Sequence, residues 1–471
     1  MLLKIKKALE SKFVVPCVFA VAFVLWLLGN ITEGNGYNEA ILGFLVLTVL
    51  SILCFCDDVK NIYCPVLYAG LCIQDITTGK TTESTLKFYA GCVIVTIIFF
   101  IIFSVVKIIK NRNNLKLGKM FYPLVVLDIT FLLGGIFCNF QVETFFVTLG
   151  LSVAILLLYF FAVNFTTELS SYFAYLFISG AFLAALQILV NNFISNGFTF
   201  SGIFYMTEPW ITAEGPNTAA IFFGLGAVSS LSLISKKKHG YLFFIPTIFF
   251  VLMIIITVCR GMLLTICIVL PVEFVFIYRK SNDKKTILYS IFCVITILSF
   301  FELTLQCLSD PLNRVYDKFL SNGTSGRIDG LWDWCIGKFL EHPMLGYGFL
   351  ADAKELVPYI RGDLRCILAH NTFIQYLVSV GIIGSILALY FYIEKYHLII
   401  TDFYGTLHII FAIFTIALSG MTDQAAVTDP FIFTTTILLL SAKEKDLAQK
   451  GIEFTPLINF NKKYKKPSEL M

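Results

Sequence analysis

Residues 254–278 read IIITVCRGMLLTICIVLPVEFVFIY, and a single arginine, Arg260, separates the apolar runs 241–257 and 261–278. Runs of this length and polarity are what a hydrocarbon layer of about 30 Å selects for a helix. Working outward, further apolar runs occur at 13–29, 39–56, 62–76, 86–109, 121–138, 143–163, 171–191, 216–235, 286–305, 371–391, 405–419 and 429–441. With 58% hydrophobic and only 14% charged residues and a mean hydropathy of +0.83, a soluble domain could not bury so much apolar surface. The expected fold is therefore all-α, a polytopic transmembrane bundle of 12–14 helices. Residues 1–441 form one transmembrane domain, 306–370 a large loop within it, and 442–471 a tail. The run 13–29, preceded by Lys4, Lys6, Lys7 and Lys12, lacks a small-residue cleavage site and reads as a retained first helix. The weakest run, 62–76, is bounded by Pro65 and Asp75 and reads as half-inserted.

Charge sets the sides. If the N-terminus is cytoplasmic, the cytoplasmic segments carry Lys107, Lys110, Arg112, Lys116 and Lys119, then Lys236, Lys237 and Lys238, then Arg279, Lys280, Lys284 and Lys285. The opposite segments 139–142 and 192–215 contain no lysine or arginine. This asymmetry predicts an even number of spans, both termini inside and the loop 306–370 outside. A formal charge of only +4 gives no reason to expect a nucleic-acid partner.

The outward loop gathers the chain's unusual polar groups. Arg260-Gly261 at a helix start is either a guanidinium reaching for headgroups or an anion receptor whose fork matches phosphate oxygens. Ser325-Gly326-Arg327 opens a stretch in which Ile328, Leu331, Trp332, Cys335, Ile336 and Phe339 recur at helical spacing, predicting an amphipathic helix over 328–340. Asp329 and Asp333 offer Arg327 an ordinary salt bridge instead. His342-Pro343 with Gly346 and Gly348 predicts a helix stop and a tight turn, so His342 either braces that turn or touches substrate. His370-Asn371 precedes the run 371–391, where a near-neutral imidazole can take a proton from an attacking hydroxyl. Arg361 and Arg365 in the loop, and Tyr205, Trp210 and Asn217 in and after 192–215, are candidates for sugar and phosphate contacts. Asp128 and Glu143 should face the bundle interior.

The metal reading is poor, because His239, His342, His370, His397 and His408 show no ligand spacing and no Asp-x-Asp lies in an outward loop. Of the 13 cysteines most lie in apolar runs as small hydrophobes. Cys307, Cys335 and Cys366, in or beside the loop, leave room for one disulfide. No cofactor is expected.

Arg260-Gly261, Ser325-Gly326-Arg327, His342 to Gly348, and His370-Asn371 before Gly381 and Gly384, in this order, resemble the O-antigen ligase/polymerase family of bacterial envelopes. Pro216-Asn217 is similar to that family's shorter upstream motif, and the resemblance covers about residues 200–400. Cys259 stands where the family often has serine. The resemblance implies a multispanning fold like that of the metal-independent, lipid-dependent glycosyltransferases (GT-C-like), in the cytoplasmic membrane with its active site outside. It implies an undecaprenyl-diphosphate-linked glycan as donor, a glycan or lipid acceptor, and a flippase and chain-length regulators as partners. It also implies His370 as the base, and Arg260 and Arg327 on the donor diphosphate. The isoleucine-, phenylalanine-, asparagine- and lysine-rich composition tilts the expectation toward a capsule or surface-polysaccharide polymerase. Ligase-type transfer, and a nonenzymatic flippase, are the alternatives.

Overall fold

The computed structural model describes residues 2–32, 36–72, 83–112, 115–134, 142–197, 215–234, 240–280, 331–348, 369–421 and 430–457, and a few isolated positions between 284 and 317. The elements are helices: α1 Leu2–Glu10, α2 Val14–Thr32, α3 Gly36–Phe55, α4 Tyr63–Cys72, α5 Glu83–Asn111, α6 Phe121–Leu133, α7 Val142–Phe165 and α8 Leu169–Ser195. They continue with α9 Gly215–Leu233, α10 Phe244–Thr257, α11 Arg260–Lys280, α12 Asp333–Glu341, α13 Thr372–Ile400, α14 Leu407–Ser419 and α15 Pro430–Gln449. Among the described residues six helices are long and apolar enough to cross a membrane, or seven if α1 and α2, bent by 75°, count as one span. Four further apolar helices are shorter, within α3, α6, α9 and α14. The bundle is polytopic and helical, as expected. Apart from Leu288 and Ile291, the run 286–305 lies outside the described residues.

Burial follows from composition around each helix. From Ala219 to Leu233 nearly every side chain of α9 is buried, so this helix, apolar on all sides, forms the centre. Helices α8, α10, α11 and α14 pack around it. By contrast, α5 leaves Ile94, Ile98, Ile101, Ile102, Val105, Val106 and Ile109 exposed, which suits a lipid-facing position. The weak run 62–76 becomes the ten-residue α4, about 15 Å long, with Cys64, Leu67, Tyr68, Leu71 and Cys72 buried.

Cations collect at one end of the bundle. Lys107 Nζ donates to the carbonyls of Cys56 and Asp57 at 2.9 and 2.8 Å, and Lys6 pairs with Asp57. Lys443, fully buried, donates to Thr406 Oγ1 at 2.5 Å, Lys450 pairs with Asp402 at 2.7 Å, and Lys280 donates to the Tyr404 carbonyl. The last helix does not stop at 441. It runs to Gln449, and Leu447 and Phe454 are buried, so this part of the expected tail is packed on the bundle.

Helix α13 is broken. Gly381 has φ 66° and ψ −167°, and the consequence is large. Tyr376 and Tyr392, 16 residues apart, would be separated by about 24 Å along a straight helix. Their ring centroids instead lie 5.8 Å apart and their hydroxyls 3.3 Å apart. The first half therefore folds back toward the bundle interior. Such a break strips backbone groups of their helical partners, and the turn 342–348 replaces them. Tyr347 N and Gly348 N donate to the Val378 and Ser379 carbonyls, both at 2.8 Å. Ile382 N and Ile383 N donate to the Pro343 and Met344 carbonyls at 2.8 and 3.1 Å. Each of these four groups, buried and unpaired, would cost about 1–3 kcal/mol.

Glycine is required on both sides of this junction. Gly346, at φ 64°, would place a Cβ 2.5 Å from the Val378 oxygen, and one on Gly381 would lie 2.5 Å from the Met344 carbonyl. Gly381→Ala should lower the thermal unfolding temperature, costing about 1–3 kcal/mol from the positive φ alone. Gly337→Ala, where a Cβ in α12 meets nothing within 4 Å, should be neutral or stabilising. Equal unfolding temperatures for Gly381→Ala and the parent protein would contradict the junction.

Candidate active site

Arg260 is delivered by a two-residue hairpin. Helix α10 ends at Val258, whose φ of 54° is left-handed, and α11 begins at Arg260. The guanidinium belongs to a partly exposed residue at the end of α11 away from the basic cluster at Lys280.

His370 sits at the other side of a shared level. Its φ is 50°, a conformation uncommon for a residue with a Cβ, and the neighbours on both sides hold it there. The Ala369 carbonyl accepts from Trp332 Nε1 at 2.9 Å, and Ala369 N donates to Gln375 Oε1 at 2.9 Å. Asn371, buried, caps α13 by accepting from Phe373 N and Ile374 N at 3.0 and 3.2 Å, while its Nδ2 donates to the Met421 carbonyl at 2.9 Å. Thr372 donates to the Gly420 carbonyl through both N and Oγ1, at 2.8 and 2.9 Å. A strained residue whose neighbours are fixed by six hydrogen-bonding groups is the pattern expected where backbone geometry serves a site.

Gly224 of α9 relates the two residues in height. A Cβ there would fall 2.8 Å from Met262 Sδ and 3.2 Å from Thr415 Cγ2, so Met262 and Thr415 share one level. Arg260 is two residues above Met262 on α11, about 3 Å, and Gly420 five residues above Thr415 on α14, about 7–8 Å. Arg260 and the His370 segment therefore lie within about 5 Å of one height, at the same end of the bundle, bordering the end of α14. Counted with the 3₁₀ turn Phe403–Thr406 directly before it, the apolar stretch that ends at Ser419 has 17 residues.

The other expected residues divide clearly. Asn217 is exposed in the first turn of α9. His342 is exposed, its N–H capping α12 on the Phe339 carbonyl and its ring edge-on to Tyr347 at 4.7 Å, a bracing role at the junction. Nearby, the Lys338 ammonium and then the Tyr347 hydroxyl hold the Glu341 carboxyl below its ordinary range. Arg327, Arg361, Arg365, Tyr205 and Trp210 lie outside the described residues, as do Cys307, Cys366, Asp423 and Asp429. The expected helix 328–340 is described from Leu331, and it buries Cys335 while leaving Ile336 exposed. Cys335 is a free thiol packed with Tyr347, Ala369 and Val378 rather than half of a disulfide. Asp128 is buried in α6, facing inward as expected. Among the described residues no three histidine, cysteine or acidic side chains come together as metal ligands. Sequence reading did not single out Trp332, Gln375, Thr372 or the carbonyls of Gly420 and Met421 as the clamp on His370.

Arg260 and His370 both fall in a stretch that matches a family model. Residues 245–389 match the model of a family described as O-Antigen ligase. The match covers 145 of the 471 residues and runs from α10 through the break in α13. It includes Arg260, the 342–348 turn and His370, and excludes α1 to α9. No curated protein matches the chain.

Asn371→Ala should cost about 1–2 kcal/mol through the lost cap and the lost tie to Met421. Asn371→Asp keeps the cap, loses the Nδ2 donor, and should fall between. Thermal unfolding in detergent reads both, and an unchanged Asn371→Ala would show that the clamp is not holding.

Proposed function

We propose that the chain transfers a glycan from an undecaprenyl-diphosphate carrier to an acceptor hydroxyl, in the manner of an O-antigen ligase. The observation that carries this reading is the clamped, left-handed backbone of His370, at the same end of the bundle as Arg260; on this reading the two side chains line one recess. Both fall inside the stretch that matches the O-Antigen ligase model. The matched description favours transfer to a distinct lipid or protein acceptor over polymerisation, which rested on composition alone. Polymer extension is the second reading, and differs only in the acceptor being another carrier-linked glycan.

In the proposed step the acceptor oxygen attacks the anomeric carbon from the face opposite the diphosphate. The hydroxyl proton passes to the His370 imidazole as the new carbon–oxygen bond forms. The bond to the carrier breaks, and its electron pair leaves on a phosphate oxygen. Arg260 bears on that developing charge, and its planar fork suits two phosphate oxygens at once. Arg327 would supply a second guanidinium, Asn371, His342, Arg361, Arg365, Asn217, Trp210 and Tyr205 would contact the glycan or carrier, and inversion at carbon follows. The donor arrives activated, so no nucleotide is consumed. With the lysine-rich end inside, the recess opens on the outer face of a bacterial cytoplasmic membrane, where a flippase would deliver the donor and chain-length regulators would act on the product.

Purified protein with a defined undecaprenyl-diphosphate repeat unit tests this. His370→Asn is the informative variant because asparagine tolerates the left-handed backbone, so the imidazole goes while the clamp stays. Transfer should fall at least 100-fold with the unfolding temperature unchanged. Arg260→Lys keeps the charge but loses the fork, and should reduce turnover about tenfold or more. Product sizing with and without a lipid A-type acceptor separates ligation from polymerisation. Full activity in His370→Asn would overturn the reading, and ion-gradient-driven transport independent of His370 would favour a flippase.

A further inference from the structure

At the basic end, away from the recess, a groove of about 650 Å³ opens between α2 and α8. We propose that it binds a single anionic phospholipid, with a singly charged phosphodiester headgroup, from the leaflet at the lysine-rich end.

The wall is apolar and long. Phe19 of α2 faces Tyr175, Ile178, Phe182 and Leu186 of α8 across the groove. Along α8 the lining runs from Ser171 to Leu186, about 22 Å, against about 15 Å for one leaflet's hydrocarbon. An acyl chain can therefore lie along the whole stripe.

The mouth is polar and built. Lys12, Lys60, Asn61, Glu168 and Ser171 surround it. Lys12 occupies the corner between α1 and α2, where the chain turns by 75°. That corner is held by buried Asn61, whose Nδ2 donates to the carbonyls of Leu9 and Ser11 at 2.6 and 3.1 Å. Lys60 is placed by Asp58 at 3.0 Å and Thr167 Oγ1 at 3.3 Å. Lys12, and Lys60 shared with Asp58, present two ammonium groups to one opening, while Glu168 on the rim opposes a second negative charge and so disfavours a phosphate monoester. Phe13, 77% exposed beside Lys12, supplies the aromatic anchor expected at a headgroup boundary. Helix α1, with Lys4, Lys6 and Lys7, adds a basic surface that draws anionic lipid toward the mouth.

The experiment is thermal unfolding and native mass spectrometry of the full-length protein in a neutral detergent. Phosphatidylglycerol, phosphatidylcholine with the same chains, and inorganic phosphate are each titrated. Phosphatidylglycerol should raise the unfolding temperature by a few degrees in a saturable manner and leave one lipid bound. The other two should do neither. The double variant Lys12→Gln, Lys60→Gln should lose the response, while Lys110→Gln, Lys116→Gln, on exposed lysines elsewhere at this end, should keep it. Ile178→Trp, which fills the groove and leaves the mouth intact, should also abolish it, and guards against a Lys60 variant that merely unsettles Asp58. Equal stabilisation by phosphatidylcholine or by inorganic phosphate would overturn the proposal. So would retention of the response in Ile178→Trp, or its loss in the control pair.

Discussion

The fold of α13 depends on one constraint: backbone groups in an apolar medium must find partners. Breaking a helix inside a membrane protein strands amides and carbonyls that no solvent can satisfy. Here the break at Gly381 is matched by the turn 342–348, which offers two amides to two carbonyls and two carbonyls to two amides. This exchange lets the first half of α13 turn inward instead of projecting outward. Without it Thr372 would stand about 13 Å beyond Gly381, and His370 would be far from α11.

The same economy governs the histidine. Its left-handed backbone is unfavourable by about 1–2 kcal/mol. Gln375 and the Asn371 cap hold it locally, and Trp332 on one side and Gly420 and Met421 on the other, two segments distant in sequence, hold it from outside. The end of α14 thus anchors both Asn371 and Thr372.

Hydropathy made the helices legible, since α5, α7, α8, α10, α11 and α13 are written as apolar runs. It could not show direction. Residues 378–383 are as apolar as their neighbours, so the run through Gly381 reads as one straight span, and only the Tyr376–Tyr392 contact reveals the reversal. Helix lengths misled for a related reason. Short helices such as α14 count as spans by composition, yet among the described residues they fall below the length of a full crossing. The turn at Pro343, Gly346 and Gly348 was readable from its residues, but its docking partner was not, because backbone pairing leaves no side-chain signature. Arg260 and His370 stood out as polar groups amid hydrocarbon. The outer part of the His370 clamp, from Trp332, Gly420 and Met421, arises from tertiary contacts that local sequence does not encode.

The central claim is that one recess brings the Arg260 guanidinium and the His370 imidazole to a single carrier diphosphate. A nanodisc structure with an undecaprenyl-diphosphate glycan bound measures this directly. The account predicts diphosphate density within hydrogen-bonding reach of Arg260, and the anomeric carbon on the His370 side of it, above the end of α14. Diphosphate density at the lysine-rich end, or at the far end but out of reach of both side chains, would contradict it.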